Sequence, residues 1–251
     1  MKVYGVIPSR LKASRFPNKP LAQIAGKSMI QRVVENSLKA KKLAGLIVAT
    51  DSEEIKEELK SLPVDVVMTD PDLPSGTDRV YAAIKHLDMD AVINIQGDEP
   101  LIHPEVIDQL VDSFVQNPGI DMVTMGQEIT HLEDLISFHL VKVICNKQQE
   151  AIYFSRFAIP YSRLNHTQLK FPLIGCLKHI GLYGYTFSFL KQLCHTAPVE
   201  LELGESLEQL RAIYLGAKIK VIKTNHFFLG VDVPEDIQKV EKWLDSHHGK
   251  N

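Results

Sequence analysis

The chain has 251 residues, of which 45% are hydrophobic, 24% charged and 7% aromatic, with 28 basic and 31 acidic side chains and a formal net charge of -3. Those values exclude a disordered, collagenous, coiled-coil or disulfide-stapled chain, and a chain of this length buries about 70–75% of its unfolded surface without staples. The slight acidic excess also argues against a general nucleic-acid binder.

In chain order, the first half alternates two patterns. Apolar runs too short for helices predict strands at Lys2–Ile7, Gly45–Thr50, Val64–Thr69 and Ala91–Gln96. Between and after them, apolar residues at helical spacing predict helices over Ser28–Lys41, Gly76–Leu87 and Pro104–Gln116. This alternation implies βαβ units with right-handed crossovers, and near-continuous apolar strands imply a sheet covered on both faces.

After about residue 120 the rhythm changes. Asp121–Ile129, Val141–Cys145, Ala151–Phe157 and Lys178–Thr186 read as strands with little helix between them, an antiparallel excursion that suits a subdomain or a dimer arm. A helix is expected at Ser206–Gly216, a strand at Lys218–Lys223 and a last helix at Pro234–Ser246, which opens on a proline and two acids. The expected fold is therefore α/β: a mostly parallel central sheet flanked by helices, with a smaller β-rich insertion.

The longest apolar stretches run about six residues, far short of the ~20 that a spanning helix needs, so no membrane association is expected. The amino terminus offers no signal-like apolar region. Three cysteines, Cys145, Cys176 and Cys194, lack CxxC spacing and suit a reducing compartment, so a cytoplasmic protein is expected.

The sharpest local anomaly is charge. No acid precedes Glu35, and Arg10, Lys12, Arg15 and Lys19 crowd the loop Pro8–Pro20. That loop follows the first strand, at the sheet edge where open α/β folds bind ligands. Clustered Arg and Lys there suit a polyphosphate, although a solvated basic loop would look the same. Gly26-Lys27-Ser28 is not a Walker A loop, because Leu21 stands where its first glycine belongs, and no GxGxxG follows the first strand.

Two acids end or follow apolar runs at turns: Asp98 in Asn94–Pro100 and Asp232 in Gly230–Asp236. Carboxylates so placed suit Mg2+, which takes one or two of them plus phosphate oxygens; each could equally serve its own turn. Asp88-Met89-Asp90 has the DxD form of some glycosyltransferases, but it precedes its strand and reads as a surface turn. Strand alternation over Lys178–Tyr185 would set His179, Gly181, Tyr183 and Tyr185 on one face, with Ile180 and Leu182 opposite. In Ser206–Gly216, a core stripe of Leu207, Leu210 and Tyr214 would leave Glu208 and Gln209 pointing outward.

Eight segments in this order resemble the 3-deoxy-manno-octulosonate (Kdo) cytidylyltransferase family, over nearly the whole chain. They are Ile7-Pro-Ser-Arg with Ser14–Pro20, Val48–Asp51, Ser75–Arg79, Asn94–Pro100, Tyr153–Arg156, Lys178–Tyr183, Leu207–Arg211 and Gly230–Asp236. Sialic-acid activators share the basic loop and general fold but lack the later segments.

The resemblance implies a nucleotide-diphospho-sugar transferase-like fold and one domain over 1–251. Within it, about 1–120 would bind nucleotide, about 121–200 would serve sugar binding and dimerisation, and about 201–251 would return to the main part. It implies transfer of CMP from CTP to a Kdo-type sugar acid with release of pyrophosphate, in lipopolysaccharide assembly, by a homodimer. By the same resemblance Arg10, Arg15 and Lys19 would contact the triphosphate, and Arg10 and Lys19 would serve catalysis with Asp98 and Asp232. Thr50, Asp51, Ser75 and Gly76 would surround the cytidine. Asp98 and Asp232 would hold Mg2+, and Gln96, Arg156, His179, Tyr183, Glu208 and Gln209 would position the sugar acid. Ser9, Asn18 and Pro74 depart from residues frequent in the family, and 164–176 fits its pattern poorly. The alternatives are the same reaction on 8-amino-3,8-dideoxy-manno-octulosonate, or a non-catalytic CTP or sugar-acid sensor.

Overall fold

The computed structural model describes residues 1–11, 16–161, 163 and 170–247. Its first part runs β1 (Val3–Ser9), β2 (Gln23–Ile24), β3 (Lys27–Ser28), α1 (Met29–Ser37), β4 (Gly45–Thr50), α2 (Glu53–Glu58), β5 (Asp65–Met68), α3 (Gly76–Ile84), β6 (Ala91–Asn94) and α4 (Pro104–Gln116). It continues through β7 (Met122–Glu128), α5 (Leu132–Ile136), β8 (Lys142–Cys145), β9 (Ala151–Ser155), β10 (Cys176–Thr186), α6 (Phe187–Cys194), α7 (Glu200–Glu205), α8 (Gln209–Tyr214), β11 (Ile219–Lys223) and α9 (Glu235–His247).

Packing divides the chain into two compact units, one of residues 1–108 with 226–251 and one of residues 109–225. The sequence-based division set the return to the main part at about residue 201. By packing the return comes at His226, because β11 joins the sheet of the second unit beside β7.

In the first unit the strands lie in the order β6-β1-β4-β5, every pair parallel. Val6, Ile7, Val48, Val92 and Ile93 are fully buried, as the continuous apolar runs require. Parallel register lines up the carboxyl ends of β1 and β4, with Ser9 opposite Thr50, and sets Val6 opposite Asn94 of β6. The segments that follow these three strands therefore open on one sheet edge, with the cationic loop among them. Ser28, Ser52 and Ser75 start α1, α2 and α3, each hydroxyl accepting the backbone N–H of the third residue on. Each cap satisfies an otherwise orphaned donor and marks where the chain turns from extended to helical.

In the second unit β7 pairs β11 in parallel and β10 antiparallel, and β8 joins β10 to β9, both antiparallel. The expected β-rich excursion is present, and four short helices that periodicity did not reveal also occur, α2 in the first unit and α5, α6 and α7 in the second. The first three span eight residues or fewer and α7 six, too few turns for an apolar stripe to declare itself. Among the described residues, no helix is long and apolar enough to cross a membrane, and the three cysteines are unbridged thiols.

Candidate active site

Within the first unit, a cavity of about 300 Å³ opens on the strand-end edge, lined by Ser9, Arg10, Lys19, Gln96, Asp98 and Asp232 among others. Lys19 is its hub. Its Nζ donates to Asp98 Oδ2 at 2.7 Å and lies 3.9 Å from Asp232 Oδ1. Two carboxylates from distant parts of the sequence thus share one ammonium, and their oxygens stand no farther apart than those two distances together. The loop and the Asp98 turn approach closely because Gly97 has no side chain: a Cβ there would stand 3.1 Å from the Pro8 carbonyl oxygen. The Asp232 segment is tied to the same turn by a Val231 N–H donated to the Asp98 carbonyl at 2.9 Å.

Asp232 does not spend its carboxylate on capping. The backbone N–H groups of Asp232 and Val233 donate to Asp236 Oδ2 at 3.0 and 3.2 Å, so Asp236 closes the turn. Asp98 and Asp232 remain 35% and 74% exposed, open to a ligand from solvent.

A third acid escaped the sequence reading. Glu99 follows Asp98, and its Oε2 is buried with no hydrogen-bond partner among the described residues. Burial, reinforced by the charges of Asp98 and Asp232 and opposed by Lys19, pushes its carboxyl up to about 8. Gly230 makes room for it, since a Cβ there would fall 2.9 Å from Glu99 Oε1. The signal was the adjacency of two acids at a strand end, but sequence alone does not tell which of them is buried. Ser9, where a different residue is frequent in the resembled family, lines the same cavity with a buried Oγ that has no hydrogen-bond partner among the described residues.

Asp88-Met89-Asp90 lies at the other end of the sheet. Asp90 accepts the Lys2 backbone N–H at 2.6 Å, ahead of β1 and β6, so it serves the strand starts, as its reading as a surface turn expects.

The residues expected around a cytidine occupy the same strand-end edge. Thr50 is buried, its hydroxyl accepting the Ser52 N–H at 3.2 Å. Asp51 pairs with Arg79 at 3.3 Å, both side chains nearly inaccessible, and Arg79 also donates to Thr69 Oγ1 at 2.5 Å. Ser75 donates to Asp78 Oδ2 at 2.6 Å while it caps α3. A Cβ added at Gly76 would meet the Pro8 ring at ordinary van der Waals range. Arg10 lines the cavity, and Arg15 lies outside the described residues.

The second unit gathers most of the residues expected to hold a sugar acid. A bulge between Ile180 and Tyr183 breaks the expected alternation of β10 and leaves Gly181 exposed. The rings of His179 and Tyr183 nevertheless lie 5.4 Å apart, and those of Tyr183 and Tyr185 6.1 Å apart. Thr124 stabilises the bulge: its Oγ1 lies 2.9 and 3.2 Å from the Leu182 and Ile180 carbonyls and 3.0 Å from His179 Nε2. A hydroxyl has one proton; given to a carbonyl, it leaves His179 Nε2 as the donor and Nδ1 as an acceptor. Burial pushes His179 down to about 3, so the imidazole is neutral at any physiological pH.

Tyr183 donates to Gln209 Oε1 at 3.3 Å. Burial raises its phenol, with Glu208 adding and Arg156 opposing, so Tyr183, Glu208, Gln209 and Arg156 share one neighbourhood. In α8 the expected stripe is corrected. Leu207 and Leu210 are buried as expected, but Gln209 is buried too and Tyr214 is 65% exposed. The helix begins only at Gln209, and the turn entering it is closed by tighter bonds, Leu210 N–H to the Leu207 carbonyl and Arg211 N–H to the Glu208 carbonyl, which depart from the 3.6-residue spacing the stripe assumed. A residue absent from the sequence reading, Glu205, accepts from Ser155 Oγ at 2.6 Å and from the Arg156 backbone N–H at 2.8 Å. Its carbonyl also accepts from Arg156 Nε at 2.9 Å, aiming the guanidinium.

Residues 4–219 match the cytidylyltransferase family model. This chain belongs to the cytidylyltransferase family. It is 52% identical to the 3-deoxy-manno-octulosonate cytidylyltransferase of Bdellovibrio bacteriovorus, over 98% of this chain and 99% of that one. It is 46% identical to the 8-amino-3,8-dideoxy-manno-octulosonate cytidylyltransferase of Shewanella putrefaciens, over 97% and 99%. Among solved structures it resembles a CMP:2-keto-3-deoxy-manno-octonic acid synthetase complexed with CTP, with a TM-score of 0.90 and 35% identity over 98% of this chain and 100% of that one. The expected α/β fold with a mostly parallel sheet and the expected family both hold for this cytidylyltransferase.

Proposed function

We propose that this cytidylyltransferase joins the CMP group of CTP to the anomeric hydroxyl of a Kdo-type sugar acid, for lipopolysaccharide assembly. The new bond runs from the sugar oxygen to the α-phosphorus, the bond to the β-phosphate oxygen breaks, pyrophosphate leaves with its electrons, and the hydroxyl proton passes to solvent. The observation that carries this reading is Lys19 drawn between Asp98 and Asp232, two acids far apart in sequence, in a cavity that also holds Arg10.

Such a transfer needs positioning and charge stabilisation more than covalent machinery. Arg10 and Lys19 hold and neutralise phosphate oxygens, with Arg15 from the same loop. Two exposed carboxylates beside a buried, unpartnered Glu99 oxygen form a hard-oxygen donor set that suits Mg2+. Mg2+ held by Asp98 and Asp232 would neutralise phosphate charge and acidify the attacking hydroxyl. Arg156 is a cation held in place for a sugar carboxylate. Neutral His179, Tyr183 and Gln209 offer uncharged donors and acceptors to hydroxyl groups, with Glu208 beside them, and Gln96 lines the cavity of the first unit.

The 52% identical relative favours Kdo as the sugar, and the 46% identical one keeps the 8-amino sugar as the second reading. With CTP and Mg2+, one pyrophosphate per CMP-sugar is expected with Kdo, at a higher kcat/KM than with 8-amino-3,8-dideoxy-manno-octulosonate. Higher efficiency with the amino sugar would exchange the two readings. CTP binding without product from either sugar would instead leave a sensor.

We further propose a homodimer formed through the β8–β9 hairpin of the second unit. Ile152 on that hairpin, Phe157 just beyond its end and the nearby Phe138 are each more than half exposed, and the rings of Phe138 and Phe157 lie 5.6 Å apart. An exposed apolar group of that kind marks an interaction surface. Light scattering is expected to give twice the chain mass, and the chain mass itself after Phe138→Glu with Phe157→Glu. A wild-type monomer at micromolar concentration would contradict it.

A further inference from the structure

Away from the cavity, the first unit brings together a second set of ligand-type groups. His103 precedes α4, Glu105 lies in its first turn, and His226 is the residue at which the chain returns to this unit. Glu105 Oε2 stands 4.0 Å from His103 Nδ1 and 3.8 Å from His226 Nε2. All three ligand atoms lie within 4.8 Å of one another. The two imidazoles stack at 4.5 Å between centroids, tilted by 28°. Burial and the neighbouring His226 hold His103 below its ordinary pKa, which keeps a nitrogen lone pair available.

We propose that His103, Glu105 and His226 form a site for a divalent transition-metal ion of the zinc type, separate from the carboxylate pair at Lys19. Two imidazoles and one carboxylate are a ligand set that zinc accepts, with water in the fourth position. The donors are softer than the oxygen set at Asp98 and Asp232, so the two sites select different ions. A tetrahedral ion with bonds of about 2.0–2.1 Å holds its ligand atoms roughly 3.3 Å apart. The present spacings must therefore close by less than about 1 Å for the two contacts to Glu105, with the rings splaying out of their stack. The side chains of His103 and Glu105 are 47% and 70% exposed and that of His226 is 26% exposed, so each has room to turn.

A bound ion would act as a clip. His103 lies shortly after Asp98 and Glu99, and His226 shortly before Gly230 and Asp232. Those two segments are already joined by the bond from Val231 N–H to the Asp98 carbonyl. A second tie at the histidines would brace the turns that deliver both aspartates.

The test uses the full-length protein stripped with chelator and kept free of Mg2+. Zn2+ titration by calorimetry is expected to give one equivalent that survives Asp98→Asn with Asp232→Asn and weakens on the order of a hundredfold in His103→Ala with His226→Ala. Co2+ as the probe should produce a visible ligand-field band in the same variants that bind Zn2+. Zn2+ in excess should raise the melting temperature by about 3–6 °C in the wild type and not in the double-histidine variant. Unchanged Zn2+ affinity in the double-histidine variant would overturn the site, as would loss of the equivalent in the double-aspartate variant. The outcome does not depend on whether the sugar reading holds.

Discussion

Asp98→Asn is expected to lower CMP-sugar formation on the order of a thousandfold, the scale on which removing one preorganised charge-stabilising group acts, while the melting temperature stays within a few degrees. Asn has nearly the shape of Asp but presents a weak neutral oxygen in place of a carboxylate. Two things are lost together: the 2.7 Å partner that fixes Lys19 and one of the two proposed magnesium ligands. Asp232→Asn removes only the longer 3.9 Å contact from Lys19, yet under the proposed metal role it should cost turnover comparably. That pairing makes the test specific. If Asp98 served only to hold Lys19, its variant would lose activity and the Asp232 variant would keep it. Pyrophosphate release measured across a Mg2+ series decides, and a near-wild-type rate in either variant would remove the shared-metal assignment.

Glu99→Gln is expected to stabilise the metal-free protein on the order of 3 kcal/mol near pH 8 and to leave it unchanged at pH 4.5 and below. The sign follows from a native carboxyl held at about 8 against an ordinary 4.5. Below the lower value both folded and unfolded chains carry the proton, and nothing is lost. Between the two values the unfolded chain gives up its proton while the folded chain keeps it, so stability falls as pH rises. Above about 8 the full cost of a buried charge, only partly offset by Lys19, remains. Glutamine keeps the volume and removes the titration. Urea unfolding in chelator at several pH values measures the gap between the two proteins, and parallel curves from pH 5 to 9 would contradict the burial argument.

How much of this was readable beforehand differs by residue. Strand β4 and helix α4 stand with the same bounds that periodicity implied, since a buried strand and a long amphipathic helix each write their packing into the local pattern. Arg10, Lys19, Asp98 and Asp232 could be singled out because charge at a strand end is visible in a string of letters. Short helices such as α6 were not visible: Phe187-Ser-Phe-Leu-Lys-Gln-Leu-Cys runs on from a strand without a breaker, and only the Thr186 cap marks the change.

The amino-acid order by itself determined the class of fold, the family and the cast of charged residues, because these depend on local periodicity and on which groups occur in which segments. Tertiary structure alone decided that one lysine gathers both aspartates, that Glu99 is the acid held buried, that Arg79 is sequestered against Asp51, that Gln209 turns inward while Tyr214 turns out, and that two histidines far apart in sequence stack beside Glu105. Each of those outcomes depends on which surfaces exclude water and which distant segments meet. Parallel strand register and close turns set both, and neither leaves a periodic trace along the chain.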